Sequence, residues 1–114
     1  MARLVVEGDD IAVKLTALER FGALRGNFRV PRSAVREVRV SDRPWSELRG
    51  IRAPGTGIPG VIALGTRRGG GGRDFTAVYR NRSAVVLELE GAVFDRLVIS
   101  VDDPSNVVAQ LRPA

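Results

Sequence analysis

Cysteine and histidine are both missing from this 114-residue sequence. The first absence removes disulfides, thiolate metal sites and cysteine nucleophiles. The second removes the commonest general base and the commonest metal ligand. Ser33, Ser83 and Ser105 therefore have no imidazole to activate them. Lysine is nearly missing too: Lys14 is the only one among 18 basic residues, and the others are arginine. Aromatic residues make up 5% of the chain, too few for a base-stacking platform, and no nucleic-acid motif is present. No apolar run approaches the roughly 18 residues that cross a bilayer. The first residues turn acidic at Glu7, Asp9 and Asp10 after a short apolar run, which is not the pattern of a signal peptide. Together these absences predict a soluble, cytoplasmic, non-enzymatic chain with no cofactor and no metal.

What is present points to one domain over residues 1–114, with 44% hydrophobic residues to build a modest core. The formal net charge is +5 and the isoelectric point about 11.2. Such a balance invites anionic partners, but the arginines are spread along the chain rather than gathered in one run.

The patterning is that of short strands. Runs at Arg3 to Glu7 and Ile11 to Leu15 flank the turn cluster Gly8-Asp9-Asp10, giving a first hairpin. Thr16 and Glu19 have capping-box spacing, and Leu18, Phe21 and Leu24 recur at helical spacing behind them. Further strands are expected at Phe28 to Val30, Val35 to Ser41, Val61 to Thr66, Asp74 to Tyr79, Ala84 to Glu90 and Phe94 to Val101. The stretch Ala53 to Gly60, with two prolines and three glycines, reads as an irregular crossover. Trp45 and Leu48 point the same way from one helical turn opened by Pro44, with Trp45 as a core anchor. At the end, Asp103 at the N-cap, Pro104 at the first helical position and apolar Val107, Val108 and Leu111 predict a helix over about 103–112. It is too short to stand alone and must lie on the sheet.

Strands first and a helix last, with the strings Val30 to Val35, Leu48 to Val61, Gly65-Thr66 and Asp95 to Pro104, resemble bacterial pleckstrin-homology-like (PH-like) proteins of the actinobacterial kind. The resemblance implies a mainly β fold: an antiparallel barrel of about seven strands in two near-orthogonal sheets, capped by the C-terminal helix. Two features depart from the lipid-binding members of that superfold. The helix carries no tryptophan, and the first hairpin, where those members place their basic signature, is acidic here.

Gly55, Gly57 and Gly60 match the G-x-G-x-x-G string, but no helix pattern follows, so a dinucleotide site is not expected. The candidate anion- or lipid-binding residues are Arg67, Arg68 and Arg73, which flank the glycine tip of a hairpin and present guanidinium forks. Arg80 and Arg82 fall at the other end of the returning strand. The acidic pairs Glu88/Glu90, Asp9/Asp10 and Asp102/Asp103 are read as ion-pair partners, turn and helix cap. The functional expectation is an interaction module that binds a protein partner or a second copy of itself through a barrel edge or rim. Peripheral binding to anionic lipid through the 67–73 hairpin is the alternative, and weak nucleic-acid binding comes after it.

Overall fold

The computed structural model describes residues 1–58, 60–69, 72–80 and 82–112, with side chains for all of these except 51–55. The described residues form nine strands and two α-helices in a mainly β structure. The strands are β1 (Arg3–Glu7), β2 (Asp10–Lys14), β3 (Phe28–Pro31), β4 (Val35–Ser41), β5 (Ile51–Ile58), β6 (Ile62–Gly69), β7 (Gly72–Tyr79), β8 (Ala84–Leu89) and β9 (Arg96–Ser100). The helices are α1 (Ala17–Ala23) and α2 (Pro104–Leu111). The strands make a three-stranded sheet, β1-β2-β3, and a six-stranded sheet, β4-β8-β9-β7-β6-β5.

The inner faces of the two sheets meet in one core. The small sheet contributes Leu4, Ile11, Val13 and Val30; the large one contributes Val38, Leu64, Phe75, Val85, Leu87, Leu97 and Ile99. These follow the period-two alternation of their strands. The large sheet is also buried on its other face, where Ala63, Val78, Ala84, Val86 and Val98 pack beneath Trp45 and Leu48. A sheet covered on both sides reads as a continuous apolar run, and this explains Ala84 to Leu87 and Leu97 to Ile99. Trp45 sits on a 3-10 turn, Pro44–Glu47, so it anchors this second, outer core. Helix α2 lies across β4, β8 and β1, with Val108 and Leu111 buried, and so bridges one side of the two sheets.

The arrangement departs from the expected one in four places. First, the described residues hold nine strands rather than about seven, in two separate sheets rather than a closed antiparallel barrel, and β7 pairs with β9 in parallel, Asp74 opposite Arg96 through Ala77 opposite Ile99. The chain leaves β7 by a turn but places β8 two positions away, and β9 returns between them. Leu97, Val98 and Ile99 are all wholly buried, which is met by a central position with a neighbour on each edge. Second, residues 53–58 of the expected crossover belong to strand β5, not to irregular chain. Proline is tolerated there because β5 is the edge of the sheet, and its register slips between Arg52 and Gly55.

Third, Asp103 is at the helix N-cap but makes no side-chain cap bond; its backbone is left-handed, with φ of 50°. Pro104 has no N–H in any case. Fourth, the apolar spacing that identifies α1 does not mark the face it buries. The capping box is complete, with Thr16 Oγ1 accepting from Glu19 N–H and Glu19 Oε1 accepting from Thr16 N–H. The buried positions, however, are Glu19 and Ala23, and Leu18, Phe21 and Leu24 face solvent.

Candidate functional site

The charged outer surface of the large sheet is largely neutralised. Arg39 makes a bidentate pair with Glu47, both bonds at 2.8 Å, and reaches Glu88 at 3.5 Å. Arg96 pairs with Glu88 at 2.9 Å and donates to the Glu47 carbonyl. The Arg39 guanidinium holds the Glu47 carboxyl below the usual carboxylate range. Arg49 grips buried Asp74 with two bonds, at 2.7 and 3.1 Å. Arg36 takes Glu90 at 3.0 Å, and Lys14 and Arg29 take Glu7 at 2.8 and 2.6 Å. Glu88 and Glu90 are thus arginine partners, as their spacing predicts.

The three expected anion-site residues divide. Arg67 lies opposite Asp74 in the β6–β7 ladder, and its guanidinium donates to the carbonyls of Arg49 and Gly50 at 3.2 and 3.0 Å. It therefore braces the chain entering β5. Arg68 and Arg73 lie directly opposite each other on the other face of the same ladder. Arg68 is exposed, and neither side chain has a hydrogen-bond or ion-pair partner among the described residues. Gly70 and Gly71, at the expected glycine tip, lie outside the described residues. Arg80 donates to the Gly60 carbonyl at the far end of β7.

A fourth arginine joins Arg73, and nothing in the spacing points to it. Arg25 follows α1, and its guanidinium carbon sits 4.7 Å from the Phe28 ring centre and 4.8 Å from that of Phe94. Arg73 lies 5.3 Å from the same Phe94 ring. Phe28, Phe75 and Phe94 form an aromatic cluster with centroids 5.0 to 5.6 Å apart. The Nε atoms of Arg25 and Arg73 are buried without a partner. Burial, and then the neighbouring Arg73 charge, draw the Arg25 guanidinium below the usual arginine range. The loop before β9 fixes Arg73 from behind: Arg73 N–H donates to Asp95 Oδ2 at 2.8 Å, and Asp95 N–H donates to the Arg73 carbonyl at 2.7 Å.

The second feature is apolar. Leu18, Phe21 and Leu24 are 73, 78 and 68% exposed on α1. Helix α1 lies on β5 and β6, tied there by Thr56 Oγ1 donating to the Gly22 carbonyl at 2.7 Å. Ile58, two residues on from Thr56 and so on the same face of β5, is 53% exposed. These are four of the five large hydrophobic residues exposed among the described residues, the fifth being Val93.

Beneath α1 is a buried polar knot. Glu19 is fully buried, and its carboxylate accepts from Ala2 N–H, Thr16 N–H and the Tyr79 hydroxyl at 2.9, 2.8 and 2.5 Å. Burial, then the bond to Glu19, raises the Tyr79 phenol above its usual range.

Among the described residues no three His, Cys, Asp or Glu side chains gather as metal ligands, and no helix is long and apolar enough to cross a membrane. Comparison with protein-family models, with curated proteins and with solved structures finds no match.

Proposed function

We propose that this chain is a non-enzymatic interaction module that self-associates through the face made by α1 and the edge strand β5. The observation that carries the reading is the exposed apolar stripe Leu18, Phe21 and Leu24, continued by Ile58 at the open edge of the large sheet. Apolar side chains held on a rigid helix beside an unpaired strand edge are what a second copy can use. Antiparallel pairing of β5 with its symmetry mate about a two-fold axis would join the two sheets and bring the two α1 faces together. Burial of such side chains is favourable by about 25 cal/mol per Å² removed from water.

The PH-like reading is part of this proposal. It is supported by two β-sheets packed on one core and a C-terminal helix lying on them; the parallel β7–β9 pair is its departure from that pattern. A cytoplasmic location belongs to the same proposal and rests on composition alone. The anionic-lipid reading of the 67–73 hairpin ranks second, because Arg67 is committed to backbone carbonyls and only Arg68 and Arg73 remain. Nucleic-acid binding ranks third, since one aromatic ring, Phe21, is exposed among the described residues.

Light scattering coupled to size exclusion, over a range of concentrations, tests the association. The expected result is a dimer that a Leu18→Glu/Phe21→Glu variant converts to a folded monomer. A wild-type monomer at high concentration would sink the reading. So would a dimer that the double variant leaves intact.

A further inference from the structure

We propose that Arg25 and Arg73, with Arg68 across the β6–β7 ladder, form a binding site for a phosphate monoester. The first argument is electrostatic. Most arginines of the large sheet's outer face are matched to carboxylates or carbonyls. At this end of the molecule, by contrast, two guanidiniums share one phenylalanine ring and have no ion-pair partner among the described residues. A third cation, Arg68, stands opposite one of them, and like charges facing each other across a ladder are destabilising. Asp95 on the neighbouring loop accepts from the Arg73 backbone N–H and sets one negative charge against the three positive ones. The cluster therefore has a counter-ion deficit that an external anion would fill.

The second argument is geometric. Contact with the Phe28 and Phe94 rings holds the Arg25 guanidinium in place, and the two bonds between Arg73 and Asp95 fix the origin of Arg73. Guanidiniums already held in place lose less freedom when they bind. Their Nε atoms are buried without a hydrogen-bond partner. Planar forks suit the oxygens of phosphate, which accept bidentate bonds. A monoester, carrying nearly two negative charges at neutral pH, matches paired arginines better than a single carboxylate does. Stacking on Phe94 by itself accounts for one arginine, whereas the convergence of two on the same ring is what the ligand explains.

The monoester could be a soluble metabolite or a lipid headgroup, and the test separates them. The full chain would be titrated by calorimetry with glycerol 1-phosphate. In parallel it would be sedimented with vesicles of phosphatidylcholine, with and without phosphatidic acid. Saturable binding to the soluble ester identifies a free ligand; binding only to the phosphatidic acid vesicles identifies a headgroup. Either outcome must weaken by ~10- to 100-fold in an Arg25→Gln/Arg73→Gln variant, the effect of losing charged hydrogen bonds. It must be unchanged in Arg80→Gln, which alters charge at the other end of β7. Should the double variant fail to fold, Arg68→Gln changes an exposed side chain with no described partner and must weaken binding by itself. Failure of the wild type to bind either probe would overturn the proposal. So would equal weakening by Arg80→Gln, which would mean diffuse charge. Dimerisation is read separately, so neither result depends on the self-association test.

Discussion

Tyr79 is the only tyrosine in the chain, which makes its ionisation directly visible as phenolate absorbance. Its hydroxyl donates to the fully buried Glu19 carboxylate at 2.5 Å. Hydrogen bonds to a charged acceptor contribute about 1.5–3 kcal/mol. A Tyr79→Phe variant at pH 8 is therefore expected to lose about that much, or roughly 6–12 °C in Tm for a chain of this size.

The pH dependence sharpens the test. The folded state raises the Tyr79 pKa above its ordinary value of 10.0. Between those two values the native protein keeps the phenolic proton and the unfolded chain gives it up. The contribution of Tyr79 is therefore fully present below pH 10 and is lost as pH rises above it. The limiting slope is about 1.4 kcal/mol per pH unit. Urea unfolding of wild type and Tyr79→Phe at intervals from pH 8 to 11.5 isolates this term, because other groups titrate alike in both. The stability gap should be constant up to about one unit below pH 10 and then close progressively as pH rises through and above 10, at no more than about 1.4 kcal/mol per pH unit. A gap that stays constant across the whole range would refute the reasoning, as would phenolate appearing near pH 10 in the folded protein.

Two further outcomes follow from backbone geometry. Leu24 closes α1 in the left-handed region at φ of 55° and is 68% exposed, so Leu24→Gly relieves strain and gives up little packing. It should stabilise the fold by about 1 kcal/mol in denaturant unfolding. Gly50 has φ of 78°, and a Cβ there would stand 2.4 Å from the Arg68 carbonyl oxygen. Gly50→Ala is expected to cost about 1–3 kcal/mol. Because Arg67 donates to the Gly50 carbonyl, it should also speed amide exchange along the β5–β6 ladder.

Local signals carried much of the architecture. The Asp-Pro entry to α2, the Thr16/Glu19 box and the alternation in β7, β8 and β9 each rest on neighbours within a few residues, and each is found in place. What was hidden depends on position in the sheet. Residues 51–58 are a strand because an edge tolerates a proline, and nothing in Pro54 announces that it lies at an edge. The stripe on α1 announces a helix but not which side meets the protein, because a buried glutamate takes the inner face. The hairpin arginines were legible from their flanking of the glycines. Arg25 was not, because its partners Phe94 and Arg73 are distant in sequence and reach it only through the tertiary fold.

The central place of β9 has a consequence for how this chain reaches its native state. On one side of the large sheet stand β4 and β8, and on the other the meander β5-β6-β7; β9 is the strand that joins them. Until residue 100 has emerged from the ribosome, the two halves share no ladder. A nascent chain that stalls before Arg96 would hold two incomplete sheets with open edges, the state most exposed to wrong pairing. Completion of the sheet is then a single late insertion of the five residues Arg96 to Ser100 between partners already laid down. The partners of β9 lie only 8–22 residues back in the chain, whereas β4 and β8 pair across 43–54 residues; pairings distant in sequence close slowly, so the β4–β8 ladder sets how long the chain depends on protection.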